Sequence, residues 1–238
     1  MPLLFSPVDQ TELVAPFDPR PRTAFLMLRL GDGVSPEEQL MAEEVRAALA
    51  DHHFAAVTSS DVHGTGDYLA KIVNLIRGCG FVVALFSDKT PARTLANIFF
   101  EVGVAGVLGK PVQLVLSGVN PAPSDFVRSE WIAYRPRRLA SLRADLRASL
   151  TRIDELSQYY RTIGDVALEA ERADLELAFE RYRQAVLIGD DAGARAGIAR
   201  VRDLLVEARR VEGRDDMASH RERLHRAASE FLAMLPPR

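Results

Sequence analysis

The chain of 238 residues contains a single cysteine, three lysines, one tryptophan and no long hydrophobic run. The lone Cys79 excludes an internal disulfide and a zinc site built from cysteines. No apolar stretch approaches the ~18 residues that span a bilayer, and the first residues lack the basic and apolar segments of a secretory signal. These absences predict a cytoplasmic protein that makes no contact with a membrane.

A strong excess of one charge is also absent, since the formal net charge is −3. Residues 1–134 carry 10 basic and 15 acidic side chains, and residues 135–238 carry 20 and 18. A nucleic-acid interface needs a clustered basic excess, so we expect no direct binding to DNA or RNA.

Short apolar runs alternate with amphipathic helical patterns over residues 23–134. Strands are predicted at 23–30, 54–58, 80–86, 112–116 and 131–134. Three helices are predicted between the first four strands, and Ser35 and Glu38 form a capping box at the start of the first helix. The alternation predicts an α/β fold in which helices cover both faces of a mainly parallel five-stranded sheet.

From Arg137 onwards the pattern is wholly helical. Leucine and isoleucine recur at steps of three and four residues over 139–156, and a second amphipathic stretch begins at Leu168. Breaks at 189–191 and 212–216 separate two further helices. We divide the chain into an amino-terminal extension (1–22), an α/β domain (23–150) and a helical module (151–238). The helical module is expected to hold a homo-oligomer together or to bind a helical partner protein.

The most informative segment extends from Asn97 to Val112 and reads Asn-Ile-Phe-Phe-Glu-Val-Gly-Val-Ala-Gly-Val-Leu-Gly-Lys-Pro-Val. Glu101 follows Asn97 by one helical turn, so the two side chains share a face. Its neighbours in the sequence are almost all apolar, and a carboxylate is costly to bury there without a partner or a task. Two explanations remain open: Glu101 contacts a ligand, or it pairs with Arg93 or a backbone amide.

This segment resembles the Asn-x-x-x-Glu…Gly-Lys-Pro-Val signature of the nucleoside 2-deoxyribosyltransferase-like and TIR-like superfamily, and the resemblance covers about residues 23–135. It implies a flavodoxin- or TIR-like three-layer fold. It also implies cleavage or transfer at the N-glycosidic bond of a nucleoside, nucleotide or NAD. The matching glutamate, here Glu101, would act at the ribosyl C1′. Asn97 would orient the sugar, and Asp88 would assist the base. Bacterial defence effectors share this layout of a TIR-like domain joined to a second module.

Further candidates follow from the rule that ligands bind outside the carboxyl ends of parallel strands. Arg29 follows the core of the first predicted strand, and its guanidinium suits a phosphate or a carboxylate. Six residues near such ends are candidates to bind the substrate: Arg29, Gly31, Asp32, Asp61, Tyr68 and Ser87. Simple tight loops, or capping of the loop by Asp88, explain several of these residues equally well.

No metal site and no resident cofactor are expected. The histidines of the first domain, His52, His53 and His63, have no second cluster of ligands nearby in the sequence, and the nucleophile elbow of serine hydrolases is missing. NAD or a nucleotide would therefore enter as substrate or ligand. Two alternatives suit the same residues: a nucleotide-sensing module without turnover, and a TIR-like scaffold that mediates assembly.

Overall fold

A computed structural model describes residues 18–61, 68–117, 131–135, 137–211 and 218–237. The main division of the chain falls between Ile153 and Asp154, and it separates an α/β unit from a helical unit. The predicted site residue candidates all lie in the α/β unit. Most of the predicted extension 1–22, His63 and the predicted break at 212–216 lie outside the described residues.

The α/β unit contains one parallel sheet with strand order β2-β1-β3-β4-β5. Its strands are β1 (Arg20–Met27), β2 (Ala55–Thr58), β3 (Cys79–Ser87), β4 (Val112–Ser117) and β5 (Trp131–Tyr134). Every residue of β3 is buried, as a continuous apolar strand in the middle of such a sheet must be. The predicted α/β fold with a five-stranded parallel sheet is confirmed.

Three helices connect the first four strands: α1 (Pro36–Asp51), α2 (Tyr68–Gly78) and α3 (Ala92–Val107). The predicted capping box at the start of α1 is present. The backbone N–H of Glu38 donates to Ser35 Oγ at 3.2 Å, and the Glu38 carboxylate accepts from the backbone N–H of Ser35 at 3.0 Å. Because β1 lies between β2 and β3, the strand order reverses at β1, and this reversal opens a crevice at the carboxyl edge.

The first strand begins and ends three residues earlier than predicted, at Arg20–Met27 instead of 23–30. Its pairing with β2 ends at Leu26 and Thr58, because β2 gives way to a 3-10 turn at Ser59–Asp61. The residues that follow Met27 are outside the strand, although they continue its apolar pattern.

Four helices complete the chain: α4 (Leu139–Glu169), α5 (Leu175–Gly189), α6 (Ala192–Val211) and α7 (Ala218–Met234). The prediction of a second helix from Leu168 is wrong, because α4 continues to Glu169 and Leu168 is buried within it. The break at 189–191 is confirmed: α5 ends at Gly189, and its C-cap residue Asp190 adopts a left-handed conformation with a φ of 53°. None of the described helices is long and apolar enough to cross a membrane.

The Tyr182 side chain fixes the packing of the helical unit. A Cβ atom on Gly164 would lie 2.7 Å from Tyr182 Cε1, and one on Gly197 would lie 2.5 Å from Tyr182 Cζ. The ring is 1% exposed, and its hydroxyl donates to Asp165 Oδ1 at 2.8 Å. Burial, together with the contact to Asp165, raises the pKa of Tyr182. Glycine at 164 and 197 is thus a packing requirement.

Gly197→Ala is expected to destabilise the helical unit by about 1–3 kcal/mol, because a methyl group there overlaps the buried Tyr182 ring. Gly103→Ala is the control, since its Cβ would meet nothing within 4 Å and alanine favours a helix. Urea unfolding followed by far-ultraviolet circular dichroism measures both changes. Equal stability of Gly197→Ala and wild type would contradict the packing requirement.

Candidate active site

A cavity of about 390 Å³ lies at the carboxyl end of β1, at the point where the strand order reverses. Its wall is formed by the residues that follow β1, the start of α2 and one face of α3. Ligands of open α/β sheets bind at such a point. Five predicted site residues line the cavity together: Arg29, Asp32, Tyr68, Asn97 and Glu101.

The first three turns of α3 supply one side of the cavity. Thr94, Asn97 and Glu101 line it at positions i, i+3 and i+7 of the helix, together with Ile98. Thr94 and Ile98 were not predicted to line the site, although their helical spacing from Glu101 places them on the same helix face. Ser59 and Pro91 were not predicted either, because they lie in turns, where no periodic pattern indicates which residues come together.

The Glu101 side chain is partly buried. Among the described residues, neither Arg93 nor any other group forms an ion pair or hydrogen bond with it. Burial therefore acts unopposed and raises the pKa of Glu101 from 4.5 to about 7. The structural alternative, in which Glu101 pairs with Arg93 or a backbone amide, finds no support in the part of the chain that the structure describes.

Arg29, which follows β1, lines the same cavity as Asn97 and Glu101. Its side chain is 21% exposed, and Nη1 lies 3.8 Å from Oε2 of the buried Glu38. Asp32 and Tyr68, which also line the cavity, are exposed to solvent. The cavity therefore combines one cationic side chain with two carboxylates of different character, one solvated and one partly buried.

Four predicted site residues do not line the cavity: Gly31, Asp61, Ser87 and Asp88. The Asp61 carboxylate accepts from the backbone N–H of Thr58 at 2.6 Å, so it closes the turn after β2. The buried Ser87 hydroxyl donates to Glu38 Oε1 at 3.1 Å. Asp88 is exposed just beyond β3, and its assistance to the base stays a prediction.

The second half of the Asn97–Val112 motif has an architectural role. Gly109 adopts a φ of 66°, and the Lys110 Nζ donates to the backbone carbonyls of Arg77 at 2.8 Å and Cys79 at 2.5 Å. Lys110 thereby joins the last turn of α2 to the first residue of β3. Over the described residues, no group of three His, Cys, Asp or Glu side chains is arranged to hold a metal ion.

No protein-family model matches the chain, and no curated protein matches it either. The case for a function therefore depends on the geometry and electrostatics of the cavity.

Glu101→Gln is expected to stabilise the protein at alkaline pH and to leave it unchanged at acid pH. The pKa of Glu101 is raised on folding, so its contribution to stability is full below pH 4.5 and is lost as the pH rises through 7. At about 1.4 kcal/mol per pKa unit, the free energy of unfolding of the variant should exceed that of wild type by up to about 3 kcal/mol at pH 8.5.

Urea unfolding at pH 4.5 and 8.5 measures this difference, and the fluorescence of Trp131, the single tryptophan, reports on the α/β unit. The matched control is Glu43→Gln on the exposed face of α1. A Glu101→Gln variant less stable than wild type at pH 8.5 would show that the carboxylate has a structural partner.

Proposed function

We propose that the α/β unit cleaves or transfers at the N-glycosidic bond of a nucleoside, nucleotide or NAD, with Glu101 acting at the ribosyl C1′. The observation that carries the proposal is the partly buried carboxylate of Glu101, which has no partner among the described residues and lies on a cavity at the reversal of strand order. Perturbed carboxyl groups in clefts are characteristic of functional sites.

The chemistry suits a carboxylate in this environment. As the bond between C1′ and the base nitrogen breaks, positive charge develops on the sugar, and a nearby carboxylate stabilises that oxocarbenium-like state. The ionised Glu101 can also attack C1′ and form a covalent glycosyl intermediate, from which water or a second base releases the sugar. The base departs with the electron pair of the broken bond. Asn97 lines the same cavity one turn earlier on α3, and we expect its amide to bind a sugar hydroxyl.

The raised pKa sets the pH range in which such an enzyme works. With a pKa of about 7, close to half of the Glu101 side chains are ionised at neutral pH. A nucleophile or electrostatic stabiliser must be ionised, whereas a general acid must be protonated. The direction of the pH dependence therefore distinguishes these two roles of the same residue.

Glu101→Gln is expected to abolish release of free base from NAD or from a panel of nucleosides and deoxynucleosides, measured by chromatography. The amide keeps the shape of the side chain but cannot attack C1′ or offset the developing charge. Glu43→Gln on the exposed face of α1 is the matched control and should retain full activity. In the wild type, kcat/KM should rise with pH through about 7, as the ionised form accumulates.

Base release that persists in Glu101→Gln would contradict the proposal. A kcat/KM that falls as the pH rises through about 7 would show that Glu101 acts as a general acid and not as a nucleophile. Tight binding of a nucleotide without any release of base would instead favour a sensing module, and absence of both binding and release would favour an assembly scaffold.

We propose in addition that the helical unit mediates self-association or binds a helical partner protein. On α4, Tyr159 is 58% exposed and Val166 is 66% exposed, and the two residues lie seven positions apart on one helix face. Neighbouring large apolar side chains at the surface often mark an interaction site.

Self-association through this face predicts that the full chain has a solution mass that is a multiple of 26.3 kDa. The double variant Tyr159→Glu and Val166→Glu should reduce it to the monomer, because two added charges oppose burial of this face. Light scattering at several concentrations measures both masses. A wild-type chain that remains monomeric throughout would exclude self-association through this face.

A further inference from the structure

The Arg29 guanidinium lies near the Glu38 carboxylate but does not form a hydrogen bond with it. Its Nη1 lies 3.8 Å from Glu38 Oε2, which is close enough for attraction but beyond hydrogen-bond distance. Within the described part of the chain, no acceptor takes a hydrogen bond from this guanidinium. Arg29 lines the cavity, so its N–H groups remain available to a ligand.

The Glu38 carboxylate is saturated by other donors, which explains the long distance to Arg29. Its Oε2 accepts from the backbone N–H and the hydroxyl of Ser35, both at 3.0 Å. Its Oε1 accepts from the Ser87 hydroxyl at 3.1 Å and from the Thr90 hydroxyl at 2.8 Å. Glu38 is 6% exposed, so this buried charge is fixed by four hydrogen bonds and acts on Arg29 through its field.

Gly33 makes room for the guanidinium. A Cβ atom at this position would lie 2.7 Å from Arg29 Nη2, so any larger residue would displace the group. Gly31 has a similar positive φ, 83° against 80°, but a Cβ atom there would meet nothing within 4 Å. Of the two positions, only Gly33 is therefore sterically close to Arg29.

We propose that Arg29 binds the phosphate of a phosphorylated nucleoside and that Glu38 is its positioning residue. The inference rests on the proposed function for the nucleoside part of the ligand, and it narrows the ligand class from nucleosides in general to nucleotides. A planar guanidinium whose donors have no acceptor among the described residues matches the oxygens of a phosphate in a bidentate manner. Asp32 also lines the cavity, but its exposed carboxylate is screened by water and salt.

Calorimetric titration of the full chain with matched pairs of ligands tests the proposal. The probes are the common nucleosides, their 5′-monophosphates and inorganic phosphate alone. Wild type should bind the best monophosphate at least about tenfold more tightly than the same nucleoside, as a charge-assisted pair implies. Inorganic phosphate should bind far more weakly than the monophosphate, because it lacks the nucleoside contacts.

Four variants separate positioning from simple stability. Arg29→Ala should remove the preference for the monophosphate and leave the affinity for the nucleoside within about twofold. Glu38→Gln should reduce the same preference several-fold, although glutamine also fits the capping box and preserves the start of α1. Gly33→Ala should also reduce the preference for the monophosphate. Gly31→Ala, at a similar positive φ, should retain the wild-type ratio of the affinities for monophosphate and nucleoside.

Equal affinity of wild type for nucleoside and monophosphate would overturn the proposal, as would an unchanged ratio in Arg29→Ala. A wild-type ratio in Glu38→Gln would overturn the positioning role, and equal ratios in Gly33→Ala and Gly31→Ala would contradict the steric argument. Circular dichroism confirms that each variant is folded, and Glu38→Gln tests positioning even where Gly33→Ala fails to fold. These readouts are affinities, so they are independent of whether Glu101→Gln abolishes base release.

Discussion

The buried Glu38 carboxylate is the interaction on which the carboxyl edge of the α/β unit depends. It joins the start of α1 to the end of β3 and to the turn before α3, through Ser35, Ser87 and Thr90. Burial alone would raise the pKa of Glu38, but hydrogen bonds from Ser35, Thr90 and Ser87 outweigh that effect and lower it. The ionised form therefore stabilises the fold, and that stabilisation is lost as the pH falls through the lowered pKa.

Glu38 and Glu101 show two opposite ways of keeping a glutamate away from water. At Glu38, four hydrogen bonds offset the cost of burial, and the pKa is lowered. At Glu101, no such donors are present among the described residues, and the pKa is raised to about 7. A residue kept for architecture is expected to resemble Glu38, since an unsatisfied carboxylate only costs stability. The comparison within one protein therefore favours a ligand or a reaction as the reason for Glu101.

The elements that depend on local pattern could be predicted from the sequence, and those that depend on distant contacts could not. The capping box could be predicted because Ser35 and Glu38 are three residues apart. The proximity of Asn97 and Glu101 could be predicted because they share a helix face. The Ser87 hydroxyl meets Glu38 across 49 positions of sequence, so no local pattern reveals their contact. Likewise, β1 ends at Met27 although the apolar residues continue to Leu30, so the apolar pattern alone does not locate the end of the strand.

The Asn97–Val112 motif divides into two halves with separate physical roles. Asn97 and Glu101 line the cavity, whereas Lys110 binds the carbonyls of Arg77 and Cys79, which lie where α2 passes into β3. The Gly-Lys-Pro-Val half therefore has a purely structural explanation, because it connects α2, β3 and β4. Within the motif, the chemistry that we propose therefore concerns Asn97 and Glu101. Because architecture does not require a buried carboxylate that has no partner among the described residues, the electrostatic environment of Glu101 supports the proposal more strongly than the length of the motif does.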